Sequence, residues 1–176
     1  RLLKMIELLR QRRSIRQFAD KPIEPEKLEL LKETLLRSPT SRNLDPWEFI
    51  IVDDAKLLDR LSRSKPHGAA FLKDAPLGIV IAADPDKSDV WIEDCSIASI
   101  LLQLTAQSLG LGNCWIQIRN RMHSKKTSAE KYIQNLLQIP KKLKVLSIIT
   151  FGYPAKTREG KSFEELQFEK IRMNKF

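Results

Sequence analysis

The stretch RQRRSIRQF at residues 10–18 places four arginines around one serine, Ser14. Guanidinium groups and a hydroxyl together offer charge-assisted and neutral hydrogen bonds, the donor set that a phosphate group needs. Arg12, Arg13 and Ser14 are consecutive, so a bend at a helix end would let their side chains converge. Arg16 would project from the same side if the chain is extended there. The segment predicts a pocket for a phosphate-bearing ligand, with a solvated charged face or a nucleic-acid contact as alternatives.

The overall charge of the chain bears on that choice. Its 176 residues include 31 Lys and Arg against 22 Asp and Glu, a formal net charge of +9. A surplus of this size is compatible with nucleic-acid binding. The basic residues nevertheless form three separate clusters, in residues 1–16, 118–131 and 140–144, instead of one continuous stripe. We therefore expect a small anionic ligand and no nucleic-acid partner, and a nucleic-acid binder stays open as the alternative class.

Other familiar catalytic patterns are missing from the sequence. It has no GxxxxGK[ST] phosphate loop and no GxSxG nucleophile context. Cys95 and Cys114 form neither a CxxC metal pair nor a disulfide framework, and His67 and His123 have no metal-ligand neighbours. The glycines at residues 110–112 close a helix, whereas a dinucleotide fingerprint follows a strand. We expect no metal site, and if the protein is an enzyme, a cofactor supplies its chemistry.

Helices and strands alternate along the chain, which predicts an α+β fold. Segments with helical apolar spacing are residues 2–11, 24–38, 56–64, 91–110 and 128–139. Runs rich in β-branched and aromatic residues, typical of strands, are residues 47–54, 77–84, 113–118 and 144–154. Residues 155–176 have no strong period and predict an extended C-terminal arm. No linker or repeat divides the chain, so we expect a single domain over residues 1–176.

The longest predicted helix is apolar around most of its circumference. The apolar positions are Ile97, Ala98, Ile100, Leu101, Leu102, Leu104, Ala106 and Leu109. A helix that is apolar nearly all round must be buried on nearly all sides. This pattern predicts a central helix packed on the sheet, with an ordinary core helix or a helix shared with a second subunit as the two interpretations.

Four segments, in order along nearly the whole chain, resemble the FMN-dependent nitroreductase family. They are RRSIRQF, SPTSRNLDPWEFIIV, ASILLQLTAQSLGLGNCWIQI and IITFGYPAK. The resemblance implies a three-layer αβα fold with a mixed, mainly antiparallel sheet flanked by helices. It also implies a homodimer in which two FMN sites lie at the interface and the C-terminal arm reaches across the partner subunit.

The resemblance further implies which residues hold the cofactor. Arg12, Arg13 and Ser14 fall at the phosphate and ribityl end of FMN. Arg16 takes the position beside N1 and the C2 carbonyl of the isoalloxazine ring. A fixed cation at that edge stabilises the negative charge that reduction places there, which agrees with the resemblance.

Two further groups of residues follow from the same resemblance. The residues expected from the partner subunit are Pro39, Thr40, Ser41 and Asn43. The residues expected against the flavin ring are Trp115, Ile116 and Gln117. From the C-terminal arm, Arg158 or Lys161 would complete the phosphate site. Ile118 stands where many relatives have glycine, which would narrow the space beside the flavin.

The activity implied by the resemblance is a ping-pong oxidoreduction without a side-chain catalyst. NAD(P)H would deliver a hydride to N5 of FMN and leave, and an electron-poor acceptor such as a nitroaromatic or a quinone would take the electrons. Dehalogenation, dehydrogenation and flavin breakdown are alternatives on the same fold. The sequence shows no apolar run of membrane-spanning length and no disulfide framework, so we expect a cytoplasmic protein with no membrane partner.

Overall fold

The computed structural model describes residues 3–176 of the chain. Within these residues the helices are α1 (Leu3–Gln11), α2 (Pro25–Leu36), α3 (Ala55–Leu61), α4 (Trp91–Ser108) and α5 (Ala129–Leu137). The strands are β1 (Trp47–Val52), β2 (Leu77–Ala83), β3 (Gly112–Gln117) and β4 (Lys144–Gly152). Each predicted helix and strand is therefore present, within a few residues of its predicted ends. Leu2, the first residue predicted for α1, lies outside the described residues.

Local residue choices explain several of these helix ends. Pro25 is the first residue of α2, where its missing N–H costs no hydrogen bond. The Asp54 carboxylate accepts a hydrogen bond of 2.8 Å from the backbone N–H of Leu57 and caps α3. After α4 the chain turns at Gly110, which has a φ of +79°, a left-handed conformation that glycine adopts at little cost.

The four strands form one sheet in the order β1-β2-β4-β3. All three neighbouring pairs are antiparallel, and the central strands β2 and β4 are buried almost throughout. The sheet is thus mainly antiparallel, as predicted, and among residues 3–176 the parallel pairing is a single bridge between Ser14 and Asn113, at the start of β3.

Two hydrophobic clusters lie on opposite faces of the sheet and define three layers. The first joins the sheet to α3 and α5 through residues such as Leu58, Leu61, Ile133 and Ile148. The second joins it to α2 and α4 through residues such as Leu31, Leu35, Leu102 and Ile149. Burial of these side chains is the main favourable term in folding. The predicted three-layer αβα arrangement is thus confirmed.

The prediction for α4 holds on most of its surface but not on all of it. Ala98 and Leu102 are completely buried, whereas Ile97 and Ile100 remain 41% and 39% exposed. The single chain therefore leaves one apolar strip of α4 uncovered. Exposed apolar strips of this type often mark a surface that another molecule covers.

Residues 155–176 follow the last strand without a long helix. They include two short 3₁₀ turns, Phe163–Glu165 and Phe168–Lys170, and all of them except Gly160 are exposed. Among residues 3–176, none of the helices combines the length and the apolar character that crossing a lipid bilayer requires.

Candidate functional site

The basic segment after α1 runs alongside the start of β3. Ile15 donates its backbone N–H to the carbonyl oxygen of Asn113 at 2.9 Å, next to the parallel bridge between Ser14 and Asn113. The Ile15 side chain is buried, while those of Ser14 and Arg16 point to the opposite side. The chain is thus extended here, as predicted, and a single segment presents a hydroxyl and guanidinium groups in one direction.

Two features of the sheet hold this segment close. A Cβ at Gly112 would lie 2.8 Å from the Ile15 side chain, so only glycine permits this approach. The Asn113 side chain is buried and makes two hydrogen bonds to Gln103 of α4. It accepts one from the Gln103 side-chain amide at 3.0 Å and donates one to the Gln103 backbone carbonyl oxygen at 3.1 Å. Because buried amides are costly to leave unpaired, this pair fixes the strand against which Ser14 lies.

A cavity of about 800 Å³ opens where α1 ends, and we name it the arginine cavity. Its polar lining consists of Arg10, Arg12, Arg13, Ser14, Arg16, Arg158 and Lys161. Its apolar lining consists of Ile6, Leu9, Phe163 and Leu166. The structure therefore brings together all the predicted residues of the N-terminal segment and both predicted residues of the C-terminal arm.

The C-terminal arm reaches this cavity through a close contact with the end of α1. A Cβ at Gly160 would overlap the backbone carbonyl oxygen of Arg10. Gly160 therefore lets the arm lie directly on the helix end, and this contact delivers Arg158 and Lys161 to the cavity. This contact could not be predicted from the sequence, because it depends on the position of Arg10, 150 residues earlier in the chain.

The charge of the arginine cavity is uncompensated within the described part of the chain. None of the residues that line it is acidic, and none of its cations takes part in the ion pairs of residues 3–176. Next to it, burial raises the pKa of the Cys114 thiol, and the Arg16 charge and a Ser14 hydrogen bond act in the opposite direction. Several cations close together without a counter-charge favour the binding of an anion.

Arg16 lies at the border of this cavity, next to Phe71. Its guanidinium carbon lies 5.8 Å from the centre of the Phe71 ring, within the range of a cation–π contact. Arg16 also lines a second cavity of about 850 Å³, whose other charged residues are Asp20, Lys21, Asp53, Lys73 and Asp74. Arg16 thus borders both of these cavities and a third, smaller one of about 370 Å³ that Lys156, Thr157 and Arg158 also line.

The predicted residues Pro39, Thr40, Ser41 and Asn43 do not line the arginine cavity. They precede β1 in a loop that lies against the start of α4, where the Ser41 backbone N–H donates to Asp94 at 2.8 Å. Pro39 and Asn43 are exposed, and Thr40 and Ser41 are partly so. Within a single chain these residues belong to a different surface.

The predicted residues of β3 do not line the arginine cavity either. Ile116 is buried in the first cluster, and Trp115 packs at the edge of the second cluster. The Trp115 indole N–H donates to the Gln117 side chain at 2.9 Å, which orients both on one face of the strand. Ile118 is completely buried in the first cluster and does not line the arginine cavity.

The sequence did not single out four residues that the structure connects with the site. Arg10 belongs to the basic run at residues 10–18, but it was not assigned to the site, and it lines the cavity at the end of α1. Phe71 lies in a segment without a functional motif, and Gly160 lies between charged residues of the arm, so nothing in the sequence marked either of them. Asn113 was visible as a polar residue inside a predicted strand, which is the signal that could have identified its role.

The lining of the arginine cavity fits the anionic end of a phosphate-bearing cofactor. Guanidinium groups from residues 10–16 and 158 offer paired donors to phosphate oxygens, and the Ser14 hydroxyl offers a neutral one. The apolar side chains on the rim suit the less polar part of such a ligand. An α+β protein with a cationic cavity of this kind belongs to the class that binds a phosphorylated small molecule.

The particular family follows from comparison with known sequences. The model of the family described as "Nitroreductase family" matches residues 9–66 and 62–153, well over half of the chain. The chain belongs to the Nitroreductase family.

Individual relatives agree with this assignment. A protein of Archaeoglobus fulgidus named "Putative NADH dehydrogenase/NAD(P)H nitroreductase" is 33% identical over 164 residues, covering 91% of this chain and 89% of that protein. The FMN-dependent nitroreductase from Clostridium difficile R20291 is 46% identical, with a TM-score of 0.95 over 97% of this chain and 99% of that one. "FMN reductase [NAD(P)H]" of Bacillus subtilis is 26% identical over 172 residues, covering 86% of this chain and 66% of that protein.

Proposed function

We propose that the protein is an NAD(P)H-dependent flavin oxidoreductase that binds FMN in the arginine cavity. The observation that carries this proposal is the cavity itself, in which six cations and one hydroxyl from the two ends of the chain converge without a counter-charge. The names of the relatives support the choice of ligand, since they include an FMN-dependent nitroreductase and an FMN reductase that uses NAD(P)H.

Each group of the chain has a separate task in this proposal. Arg12, Arg13 and Ser14 bind the phosphate and ribityl end, together with Arg158 or Lys161. Arg16 holds a positive charge beside the pyrimidine edge of the ring, and Phe71 orients its guanidinium. FMN bound there would supply the redox chemistry, the transfer of two electrons from NAD(P)H to an acceptor. The protein contributes binding, orientation and electrostatics.

We propose that the working form is a homodimer. The uncovered strip at Ile97 and Ile100 on α4 supports this, since an exposed apolar strip on a central helix is typical of a subunit interface. The exposure of Pro39 and Asn43, away from the arginine cavity of their own chain, supports it as well. In the dimer, the FMN held by one subunit would lie against Trp115, Ile116 and Gln117 of that same subunit. It would also contact the loop of the other subunit that contains Pro39, Thr40, Ser41 and Asn43.

For the acceptor we propose an electron-poor small molecule, such as a nitroaromatic or a quinone, reduced after NAD(P) has left in a ping-pong cycle. The site offers no side-chain acid or base among its lining residues, which suits a reaction driven by the cofactor. Two free, buried cysteines support a reducing, cytoplasmic setting. Proteins of this charge also attract anionic substrates by steering.

The decisive experiment removes two cations from the cavity. We expect Arg12→Ala combined with Arg13→Ala to weaken FMN binding by about 100-fold or more, because each substitution removes charge-assisted hydrogen bonds to the phosphate of FMN. Lys125→Ala combined with Lys126→Ala is the matched control, since it removes the same charge from an exposed cluster elsewhere. FMN affinity is measured by the quenching of flavin fluorescence on titration of the apoprotein.

Two results would contradict the proposed function. Equal FMN affinity in the cavity variant and in the control would show that Arg12 and Arg13 do not bind FMN. A colourless protein that takes up no FMN, and binds DNA with an affinity that falls steeply with salt, would instead support the nucleic-acid class.

A further inference from the structure

The loop that precedes β1 has an unusual backbone. Arg42, Asn43 and Asp45 have φ values of +52°, +55° and +44°, although none of them is glycine. Arginine adopts this left-handed region at a cost, whereas Asn and Asp adopt it more readily, and a run of such residues persists when surrounding contacts hold it. Hydrogen bonds within the loop and from the loop to α4 therefore hold its shape.

The main contact that holds it is the carboxylate of Asp94. Asp94 lies in the first turns of α4 and is only 2% exposed. One of its oxygens accepts the backbone N–H of Ser41 at 2.8 Å, and the other accepts the hydroxyl of Ser88 at 2.9 Å. The positive end of the helix dipole favours an anion at this position. Asp94 thus connects the start of α4 rigidly to the loop.

The other side-chain contacts of the loop do not attach it to the core. The Thr40 hydroxyl donates to the Asp45 carboxylate at 2.7 Å and accepts the Asp45 backbone N–H at 3.1 Å. Arg42 pairs with Asp89 at 3.0 Å, with both side chains largely exposed. An exposed ion pair contributes little. Asp94 is accordingly the buried anchor of this loop.

We propose that Asp94 is a positioning residue for cofactor binding across the subunit interface. By holding the Ser41 N–H, it presents Thr40, Ser41 and Asn43 to the FMN in the partner subunit's cavity. This inference rests on the proposed FMN-binding homodimer. It adds that a strained loop is kept ready for a ligand that its own chain does not hold, so that the loop need not order itself when the cofactor binds.

The first test compares FMN affinity among variants of this anchor. We expect Asp94→Ala to weaken FMN binding by about tenfold or more, because the Ser41 N–H loses a hydrogen bond to a buried charged group. Asp94→Asn keeps an acceptor for that N–H and should recover most of the affinity. Asp89→Ala, which removes an exposed carboxylate beside the same loop, is the control and should bind FMN as the wild type does.

The second test asks in which subunit Asp94 acts. Mixed dimers are assembled from one Asp94→Ala chain and one chain carrying Arg12→Ala and Arg13→Ala, with different affinity tags. One site of this dimer combines intact arginines with an intact loop, so it should bind one FMN per dimer with near wild-type affinity. A merely structural role of Asp94 within its own chain would leave both sites defective.

The outcomes are separable. If the mixed dimer binds no FMN beyond what the two variant homodimers bind, or if Asp94→Ala binds FMN as tightly as the wild type, the inference is wrong. If the wild type itself binds no FMN or is a monomer, the proposed function fails first. Should Asp94→Ala not fold, as judged by circular dichroism, Ser88→Ala takes its place in both tests, because it removes one of the two bonds that orient the carboxylate.

Discussion

Arg16 is the residue to which the proposed function gives an electronic role. It borders three cavities, and its guanidinium carbon lies 5.8 Å from the centre of the Phe71 ring. The contact with the aromatic face favours some orientations of the guanidinium over others. If this cation lies beside the pyrimidine edge of the ring, it stabilises the charge that reduction adds there and contributes less to the binding of the phosphate.

We therefore expect Arg16→Ala to retain FMN but to lower its midpoint potential. A drop of about 30 mV or more would correspond to about 1.4 kcal/mol for a two-electron couple. Arg13→Ala, at the proposed phosphate end, is the comparison and should change affinity more than potential. Potentiometry on both variants decides the matter, and an unchanged potential in Arg16→Ala would place this residue away from the pyrimidine edge.

Cys95 provides a prediction about pH and stability. Burial, with a further contribution from the Asp94 charge, raises the pKa of the Cys95 thiol from 9.0 to about 12. The folded protein thus holds this proton more tightly than the unfolded chain does. The resulting stability is fully present below pH 9 and is lost as the pH rises towards 12, amounting to about 2–3 kcal/mol by pH 11.

Cys95→Ala should remove this part of the pH dependence. We expect its free energy of unfolding, measured by urea denaturation between pH 8 and 11, to fall less steeply than that of the wild type. Ser99→Ala is the matched control, because Ser99 is equally buried on α4 and donates to the Cys95 carbonyl, yet has no group that titrates in this range. Identical slopes for Cys95→Ala and the wild type would show that the thiol does not titrate as expected.

At the scale of elements, the spacing of apolar residues predicted the helices and strands, because this spacing reflects which side chains of a segment are buried. The apolar runs of β2 and β4 are buried almost throughout, and Gly110 ends α4 as its position indicated. The left-handed backbone at Arg42 and Asn43 could not be predicted, since Asp94, about 50 residues later, maintains it. Likewise, the basic run predicted Arg12 and Ser14, whereas the role of Gly160 depends on a contact between the two ends of the chain.

The contact between the C-terminal arm and α1 leads to a prediction at this scale. Gly160→Ala should displace the arm, because the new Cβ would overlap the Arg10 carbonyl oxygen. The loss of Arg158 and Lys161 from the cavity should weaken FMN binding by about tenfold. Circular dichroism should show the fold unchanged, since the residues beyond Pro154 contribute little to the core.

A variant that combines three substitutions tests whether displacement of the arm causes this loss of affinity. If displacement of the arm explains the loss, then adding Arg158→Ala and Lys161→Ala to Gly160→Ala should weaken FMN binding no further. Additive losses would mean that the arm stays in place and that the glycine acts in another way.

At the scale of the whole molecule, the uncovered strip of α4 indicates how two chains would associate. Ile97 and Ile100 are separated by three positions, so they lie on one face of the helix. We expect Ile97→Asp with Ile100→Asp to raise the dissociation constant of the dimer by about 100-fold or more, because a buried unpaired charge costs several kcal/mol.

Light scattering across a dilution series measures this change. Met122→Asp, which also introduces a carboxylate at an exposed apolar side chain, is the control and should stay dimeric. A doubly substituted protein that remains dimeric at the same concentrations would move the interface to another surface.

The division of the arginine cavity between residues 6–16 and 158–166 has a consequence for how the protein is made. A ribosome synthesises Arg158 and Lys161 about 150 residues after Arg10, so the two parts of the cavity lining are made at different times. A growing chain that has not yet reached Arg158 carries four of the six cations of the cavity. Under the proposed function, such a chain would bind FMN more weakly than the chain that includes both segments.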